Sequence, residues 1–462
     1  MATDLLRTKG YTAVILSFFV GYAVVYNYTE GNTFYKISHF STTTRKPEFL
    51  NEDRAPAFKR PVFNRWDENT CSKPRQQFVF IKTHKTGSMT SVNIFQRYAI
   101  YHNLTPLIAR ATSYVSWPFP PAETDYVHTK GERYDALFGH MRYNKTWLRS
   151  KFPANTAYIS LIREPLSHLK SCMKFYSLPN LLKITSINPV KTFLQHPWQY
   201  KNLSEAYFSF CNVTWDGTRN HLAFDLGYPT EGADDLEAAE SYIKELEYDF
   251  TMVLLLEHLD ESFVLLRRLM CWEIQDVVYD SVPKNVRTYG YKSYIPTPEE
   301  LANLRKWKAV DYLLYDTFNR SLWRKIAAQG PDFYRELQFY REVKRNISWY
   351  CHEERKRKPN LTITVEASNW SPQFVVNGDY CTAIETRELT LMKKIRQKES
   401  WEEDKRWAIV LPVQNVQAII KGRPTFKYKI EEMNYARELL QKNKKQKKHV
   451  YKKRTHPRPR GL

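Results

Sequence analysis

The chain has 462 residues, 70 Lys plus Arg against 49 Asp plus Glu, a formal net charge of +21 and 15% aromatic residues. Its 12 Trp, 31 Tyr and 25 Phe carry far more buriable area than a disordered chain, 14 Gly exclude a collagen-like repeat, and six Cys are too few for a disulfide scaffold. Most of the chain therefore folds, and the positive charge must be matched by nucleic acid, an acidic membrane surface or an anionic small substrate.

An uncharged run from Tyr11 to Tyr28 follows Arg7 and Lys9. At ~1.5 Å per residue, ~18 residues just span a ~30 Å hydrocarbon core. Residues 1–10 then read as a cytosolic tail and 11–28 as a signal anchor, since basic residues precede the run and no small-x-small cleavage site follows it. Everything beyond about residue 30 is expected in the secretory lumen. Asn-x-Ser/Thr occurs at Asn27, Asn103, Asn144, Asn202, Asn212, Asn319, Asn346, Asn360 and Asn369, where 24 Asn would give about three by chance. That excess supports the lumenal topology and argues against a nucleic-acid partner. In an oxidising lumen Cys71, Cys172, Cys211, Cys271, Cys351 and Cys381 can pair, with the pairing left open by the sequence.

Residues 29–75 are polar with scattered Pro and read as a stem. Phe78–Ile81 is a short buried strand, followed by a turn and a helix over Ser88–Tyr101. Ala136–Phe138 and Thr156–Ile162 are further strands, the second running through Pro165 into a helix that reaches Tyr176. Asp234–Tyr248 predicts an amphipathic helix, Met252–Leu256 a buried strand, Asp260–Met270 another helix, and Thr297–Asn346 a long helical stretch. Strands alternating with helices predict an α/β fold with a central parallel sheet, here over residues 76–350. Residues 351–440 read as an appendage with one strand-like run, Leu361–Val365. The last 21 residues hold ten Lys or Arg and no acid, and 441–462 read as a disordered basic tail.

Two segments carry chemistry. In Phe78-Val-Phe-Ile-Lys-Thr-His-Lys-Thr-Gly-Ser-Met-Thr90, a strand, a turn rich in Lys, Thr, Gly and Ser, and a helix start together form a phosphate cradle. It is not a Walker A loop, because Lys85 precedes Gly87. In Tyr158-Ile-Ser-Leu-Ile-Arg-Glu-Pro-Leu-Ser-His-Leu-Lys-Ser171, Arg163 stands where a strand ends and Pro165 begins a helix. Ligands bind at the carboxyl ends of parallel strands, so two anion-binding elements at two such ends suggest a ligand with two separated phosphate groups. The bland alternative pairs Arg163 with Glu164 or another surface carboxylate. No C-x-x-C and no Cys/His cluster occurs along the sequence, so no metal is expected.

Together with Gly139-His-Met-Arg-Tyr-Asn144, these segments resemble the galactose-3-O-sulfotransferase family of Golgi type II membrane enzymes, over the membrane layout and roughly residues 75–350. The resemblance implies a P-loop-like sulfotransferase fold and the donor 3′-phosphoadenosine 5′-phosphosulfate. It assigns Lys85, Thr86, Gly87, Ser88 and Thr90 to the 5′-phosphosulfate, and Arg163 and Ser171 to the 3′-phosphate, with Ser167 the weaker candidate. The implied acceptor is the 3-hydroxyl of a β-galactose on a galactosylceramide-like glycolipid or a glycan. Other readings are a Golgi sulfotransferase for another sugar, such as a glycosaminoglycan, and a non-catalytic secretory glycoprotein that kept the fold. A hydroxyl nucleophile needs a base, and His84 is favoured over His140, which would orient the acceptor or replace it as base. Trp117, Trp198, Tyr200 and Trp215 are candidates to stack on a sugar ring.

Overall fold

Phe78–Ile81 (β1) is wholly buried, as a four-residue apolar run must be when it is central in a sheet covered on both faces. The computed structural model describes residues 73–109, 114–121, 125–129, 133–210, 213–283 and 288–387. The expected signal anchor, nearly all of the stem, residues 388–440 and the basic tail lie outside the described residues. No helix among the described residues is long and apolar enough to cross a membrane.

Beside β1 run Pro106–Leu107 (β2), Ala136–Gly139 (β3), Ala157–Ile162 (β4) and Met252–Leu255 (β5), in the order β2-β3-β1-β4-β5 with every pairing parallel. The chain starts at the middle strand, fills one side, then crosses to the other. That reversal makes the carboxyl end of β1 a topological switch point, where α/β sheets open a crevice for ligands. The register sets Ile81 beside Gly139 and Ser160, so the loops leaving β1, β3 and β4 emerge together.

The predicted helices form as Met89–Tyr101 (α1), Pro165–Phe175 (α3), Leu236–Asp249 (α5) and Leu259–Met270 (α6), with Lys145–Lys151 (α2) and His221–Asp225 (α4) between them. Their starts are locally encoded. Asn144 and Asp235 accept from Trp147 N and Ala238 N, and Glu164 accepts from Leu166 N and Ser167 N ahead of Pro165. The long helical stretch resolves into Pro298–Trp307 (α7), opened by a Thr297/Glu300 capping box, then Ala309–Ala327 (α8) and Asp332–Trp349 (α9).

Residues 351–387 are not an appendage to a domain ending at 350. Ile363–Val365 (β6) pairs antiparallel with Phe374–Val376 (β7), and Gly378–Glu385 (α10) follows. Cys351 is disulfide-bonded to Cys381, and Phe374, Val376, Tyr380 and Ile384 enter the same core as β1. Asn93 on α1 donates to Ala383 O at 3.0 Å and Thr386 O at 2.9 Å. Cys271 is also disulfide-bonded, whereas Cys172 is a free buried thiol. A second apolar cluster on the outer side of α3 includes Leu169, Met173, Trp215, Leu304 and Trp307.

Candidate functional site

The loop from Lys82 to Ser88 is pinned from three neighbouring elements. The Thr83 hydroxyl donates to Leu161 O on β4. His140, directly after β3, donates from Nδ1 to Lys82 O at 2.9 Å, and His168 on α3 donates from Nε2 to His84 O at 3.0 Å. Inside the loop, Thr86 Oγ1 and Ser88 Oγ each donate to Thr83 O at 3.2 Å. The Thr86 and Ser88 hydroxyls are thus turned inward, and Thr86 is fully buried. Each such bond contributes about 1 kcal/mol net, so the loop is held rigidly in advance of any ligand.

Two residues hold left-handed backbone angles, Lys85 at φ 57° and Gly87 at φ 71°. For lysine this is a sparsely populated conformation that costs energy and concentrates at functional sites. Gly87 needs its missing side chain for two reasons, the angle and a Cβ that would meet Leu256 Cδ1 at 2.9 Å. Thr90, on the first turn of α1, donates its N–H to Gly87 O at 3.3 Å.

His84 is almost fully buried against Asp225, the last residue of α4. Asp225 accepts from His84 N at 2.6 Å, from His84 Nδ1 at 3.0 Å and from Trp117 Nε1 at 2.8 Å. Burial would raise the Asp225 pKa, but the attraction of the neighbouring His84 and His221 rings and the hydrogen bonds from His84 outweigh it and hold the carboxyl below the usual range. An ionised carboxylate only accepts, so Nδ1 of His84 carries a proton, and in that tautomer of the uncharged ring the lone pair belongs to Nε2. This is the arrangement by which a buried acid sets the tautomer of a general base.

The His140 ring stacks on His84 at 4.1 Å and on Tyr114 at 4.7 Å. Its partner is a carbonyl rather than a carboxylate. Burial first, then His84 and Lys82, holds its pKa well below the ordinary imidazole value, so it is uncharged. Both sequence candidates therefore stand side by side, and only one of them has an acid behind it.

On the side of the loop facing β4, Arg163 donates to Lys85 O at 3.3 Å, which ties the end of β4 to the loop after β1. Its Nε is buried without a hydrogen-bond partner, and no carboxylate among the described residues lies within ion-pair distance of it. Glu164 does not pair with it, because both of its oxygens cap α3 at 2.8 and 2.7 Å. A half-buried guanidinium whose buried Nε has donor capacity in reserve fits an anion. The Lys85 ammonium lies 3.8 Å over the Phe175 ring at the end of α3, and Ser167 and Ser171 are half-buried one turn apart on that helix. Lys170 donates to Lys292 O at 3.2 Å and Tyr294 O at 2.6 Å, drawing the segment around residues 288–296 onto α3.

Folding also gathers His168, Cys172 and His221, a cluster the linear sequence conceals. Cys172 Sγ is 3.8 Å from Nδ1 and 3.6 Å from Nε2 of His168. A sulfur nearly equidistant from both ring nitrogens sits over the ring face, off the lone-pair direction a shared metal would occupy. Burial pushes the thiol up to about 12 and His221 down to about 3, as for neutral packed side chains.

Of the four aromatic candidates, Trp117 is the one beside His84, at 4.3 Å between ring centroids. Trp215 is buried behind it, edge-on at 5.0 Å, while Tyr200 stacks on Phe193 and Trp198 packs toward Trp307. Asp225, Thr83 and His168 were not singled out from sequence. The i, i+4 pair His221 and Asp225 was the one local trace of the first.

A family model described as Galactose-3-O-sulfotransferase matches residues 9–376. Galactose-3-O-sulfotransferase 3 of Mus musculus is 31% identical over 318 residues, covering 66% of this chain and 71% of the relative. Galactose-3-O-sulfotransferase 2 of Mus musculus is 32% identical over 302 residues, 63% and 73% of the two chains. Galactosylceramide sulfotransferase of Homo sapiens is 30% identical over 309 residues, 65% and 70%.

Proposed function

The chain belongs to the galactose-3-O-sulfotransferase family, and on that premise we propose that it transfers a sulfuryl group from 3′-phosphoadenosine 5′-phosphosulfate to the 3-hydroxyl of a β-galactose on a glycolipid or glycan. The relatives' names divide between galactose and galactosylceramide, and both share a terminal galactose as acceptor. The observation that carries the reading is the buried His84–Asp225 pair at the mouth of an anion-binding loop. A binding module that had lost catalysis would have no use for an acid-backed imidazole there.

The donor supplies an activated sulfuryl group. Lys85, Gly87 and the amides that start α1 hold the phosphosulfate end, with Thr86, Ser88 and Thr90 shaping the cradle. Arg163, with Ser171, holds the 3′-phosphate. His84 Nε2 takes the proton of the attacking hydroxyl, and Asp225 stabilises the imidazolium that results. His140 stays neutral and orients the acceptor. Lys85 neutralises charge developing on the departing phosphate oxygen, a contribution of about 3 kcal/mol for one well-placed donor. Trp117, fixed by its bond to Asp225, presents an indole for the sugar ring.

The proposed setting is the Golgi membrane, with residues 11–28 as a single anchor and the catalytic body lumenal. The Cys351–Cys381 disulfide fits an oxidising compartment. Comparing His84→Ala with His140→Ala tests the assignment: the first should lower kcat by about 10²–10⁴ with donor affinity intact, while the second should act mainly on acceptor KM. Near-normal turnover of His84→Ala would remove His84 as the base.

A further inference from the structure

The last turns of α9 and the hairpin strand β6 enclose a groove of about 490 Å³, lined among others by Phe339, Val343, Asn346, Trp349, Ile363 and Val365. It belongs to no part of the site described above. Trp349 is 55% exposed, a large apolar ring left in solvent, and it stands three residues from Asn346 on the same helix, so the two share one face. Asn346-Ile347-Ser348 is a glycosylation sequon. Two other sequon asparagines are engaged in the fold, Asn144 accepting from Trp147 N at 3.0 Å and Asn319 from Trp323 Nε1 at 3.0 Å; Asn202, Asn360 and Asn369 are exposed like Asn346 but do not line the groove. Asn346 is exposed on the wall of the groove. Five residues further on, Cys351 is disulfide-bonded, which fits an oxidising compartment such as the one where glycosyl transfer to asparagine takes place.

We propose that Asn346 carries an N-linked glycan whose innermost N-acetylglucosamine residues lie in this groove against Trp349. The Asn346 amide nitrogen bonds to the anomeric carbon of the first sugar and loses one proton. The bond from that carbon to a lipid diphosphate carrier breaks, and the diphosphate leaves with the electron pair. Ile347 is fully buried and Ser348 nearly so in the folded chain, so the modification precedes completion of the helix. Once attached, the sugars' apolar faces cover the indole, the way flat carbohydrate surfaces and aromatic rings shed water together.

The test uses the full chain made in cultured secretory cells. Glycosidase release in heavy-oxygen water, followed by peptide mapping, should convert Asn346 to labelled Asp; an unmodified Asn346 overturns the proposal. For the packing, Trp349→Ala is measured in wild-type and Asn346→Gln backgrounds. It should lower Tm by roughly 2–4 °C in the glycosylated protein and by clearly less without the sequon. An equal loss in both backgrounds overturns the groove as the glycan's seat. If Asn346→Gln is not secreted, glycosidase treatment of the folded wild-type protein replaces it, and iodide quenching of Trp349, read against Trp349→Phe, should rise on sugar removal. Unchanged quenching would refute the contact. Turnover of donor and galactoside should be the same in every variant, which separates failure here from failure of the proposed reaction.

Discussion

Asp225→Asn removes one charge and leaves the side-chain shape intact. In the wild-type protein the carboxylate lies 3.0 Å from His84 Nδ1 and 2.6 Å from His84 N. Asn keeps one oxygen; in the Oδ2 position, where it accepts from His84 N, it leaves its NH₂ in the Oδ1 position, 3.0 Å from Nδ1. That donor can only be met by a lone pair, so the His84 proton moves to Nε2, the atom that must be bare to act as a base. Opposite charges 3.0 Å apart interact by about 5 kcal/mol at an effective dielectric near 20, and a single hydrogen bond to a charged group contributes about 1.5–3 kcal/mol. These bounds correspond to losses from about tenfold to a few thousandfold, and the inverted tautomer puts the expected fall in kcat at about 10²–10³. The assay is steady-state sulfuryl transfer to a β-galactoside at saturating donor, with donor dissociation constant measured separately by calorimetry. The reasoning is refuted if folded Asp225→Asn keeps more than about a tenth of wild-type kcat, or if its defect lies wholly in donor affinity.

Gly87→Ala should strain a φ of 71° by about 1–2 kcal/mol; if the loop relaxes when empty, the donor must restore it, so its dissociation constant should rise roughly 5- to 30-fold, and unchanged affinity would mean the angle is not needed. Trp117→Ala should raise acceptor KM more than it lowers kcat while Trp117→Phe keeps most of the affinity, whereas identical kinetics of both with wild type would remove the indole from the acceptor site. Acid should destabilise the fold from near neutrality downward, because His140, His168 and His221 are buried with pKa values depressed mainly by burial. Groups with depressed folded pKa values bind protons more readily when unfolded, so the stability is complete above about pH 6.5 and is lost below it. With His221 at about 3, that residue alone should cost about 2 kcal/mol at pH 5, read as a fall in urea midpoint between pH 7.5 and 5 that shrinks in His221→Gln; an unchanged slope in that variant would contradict the assignment.

The parts of the fold that follow from local pattern were legible in the sequence. The apolar run at Phe78–Ile81, the Pro165 helix start and the capping box at Thr297 each depend on neighbours within a few residues. The residues meeting at the carboxyl ends of β1, β3 and β4 could be located by motif, since strand ends in a parallel sheet converge by construction. What was hidden depends on distant contacts. Asp225 meets His84 across 141 positions, inside a stretch for which the sequence pattern predicts no element. Residues 351–387 looked peripheral because their short strands carry little pattern, yet the disulfide and the Asn93 bonds make them integral. Glu164 illustrates the reverse case: adjacency suggested a pair with Arg163, but helix capping used both its oxygens. The charge is likewise divided, with ten of the +21 in the last 21 residues and the proposed donor site depending on the position of Lys85 and Arg163 rather than on their number.

The most direct measurement incubates the purified protein with radiolabelled 3′-phosphoadenosine 5′-phosphosulfate and a panel of β-galactose-terminated lipids and glycans, each paired with its 3-deoxygalactose counterpart. The account predicts label in the galactosides, none in the 3-deoxy compounds, and none in either with His84→Ala. Donor binding without transfer to any galactoside, or equal labelling of the 3-deoxy acceptors, would contradict it.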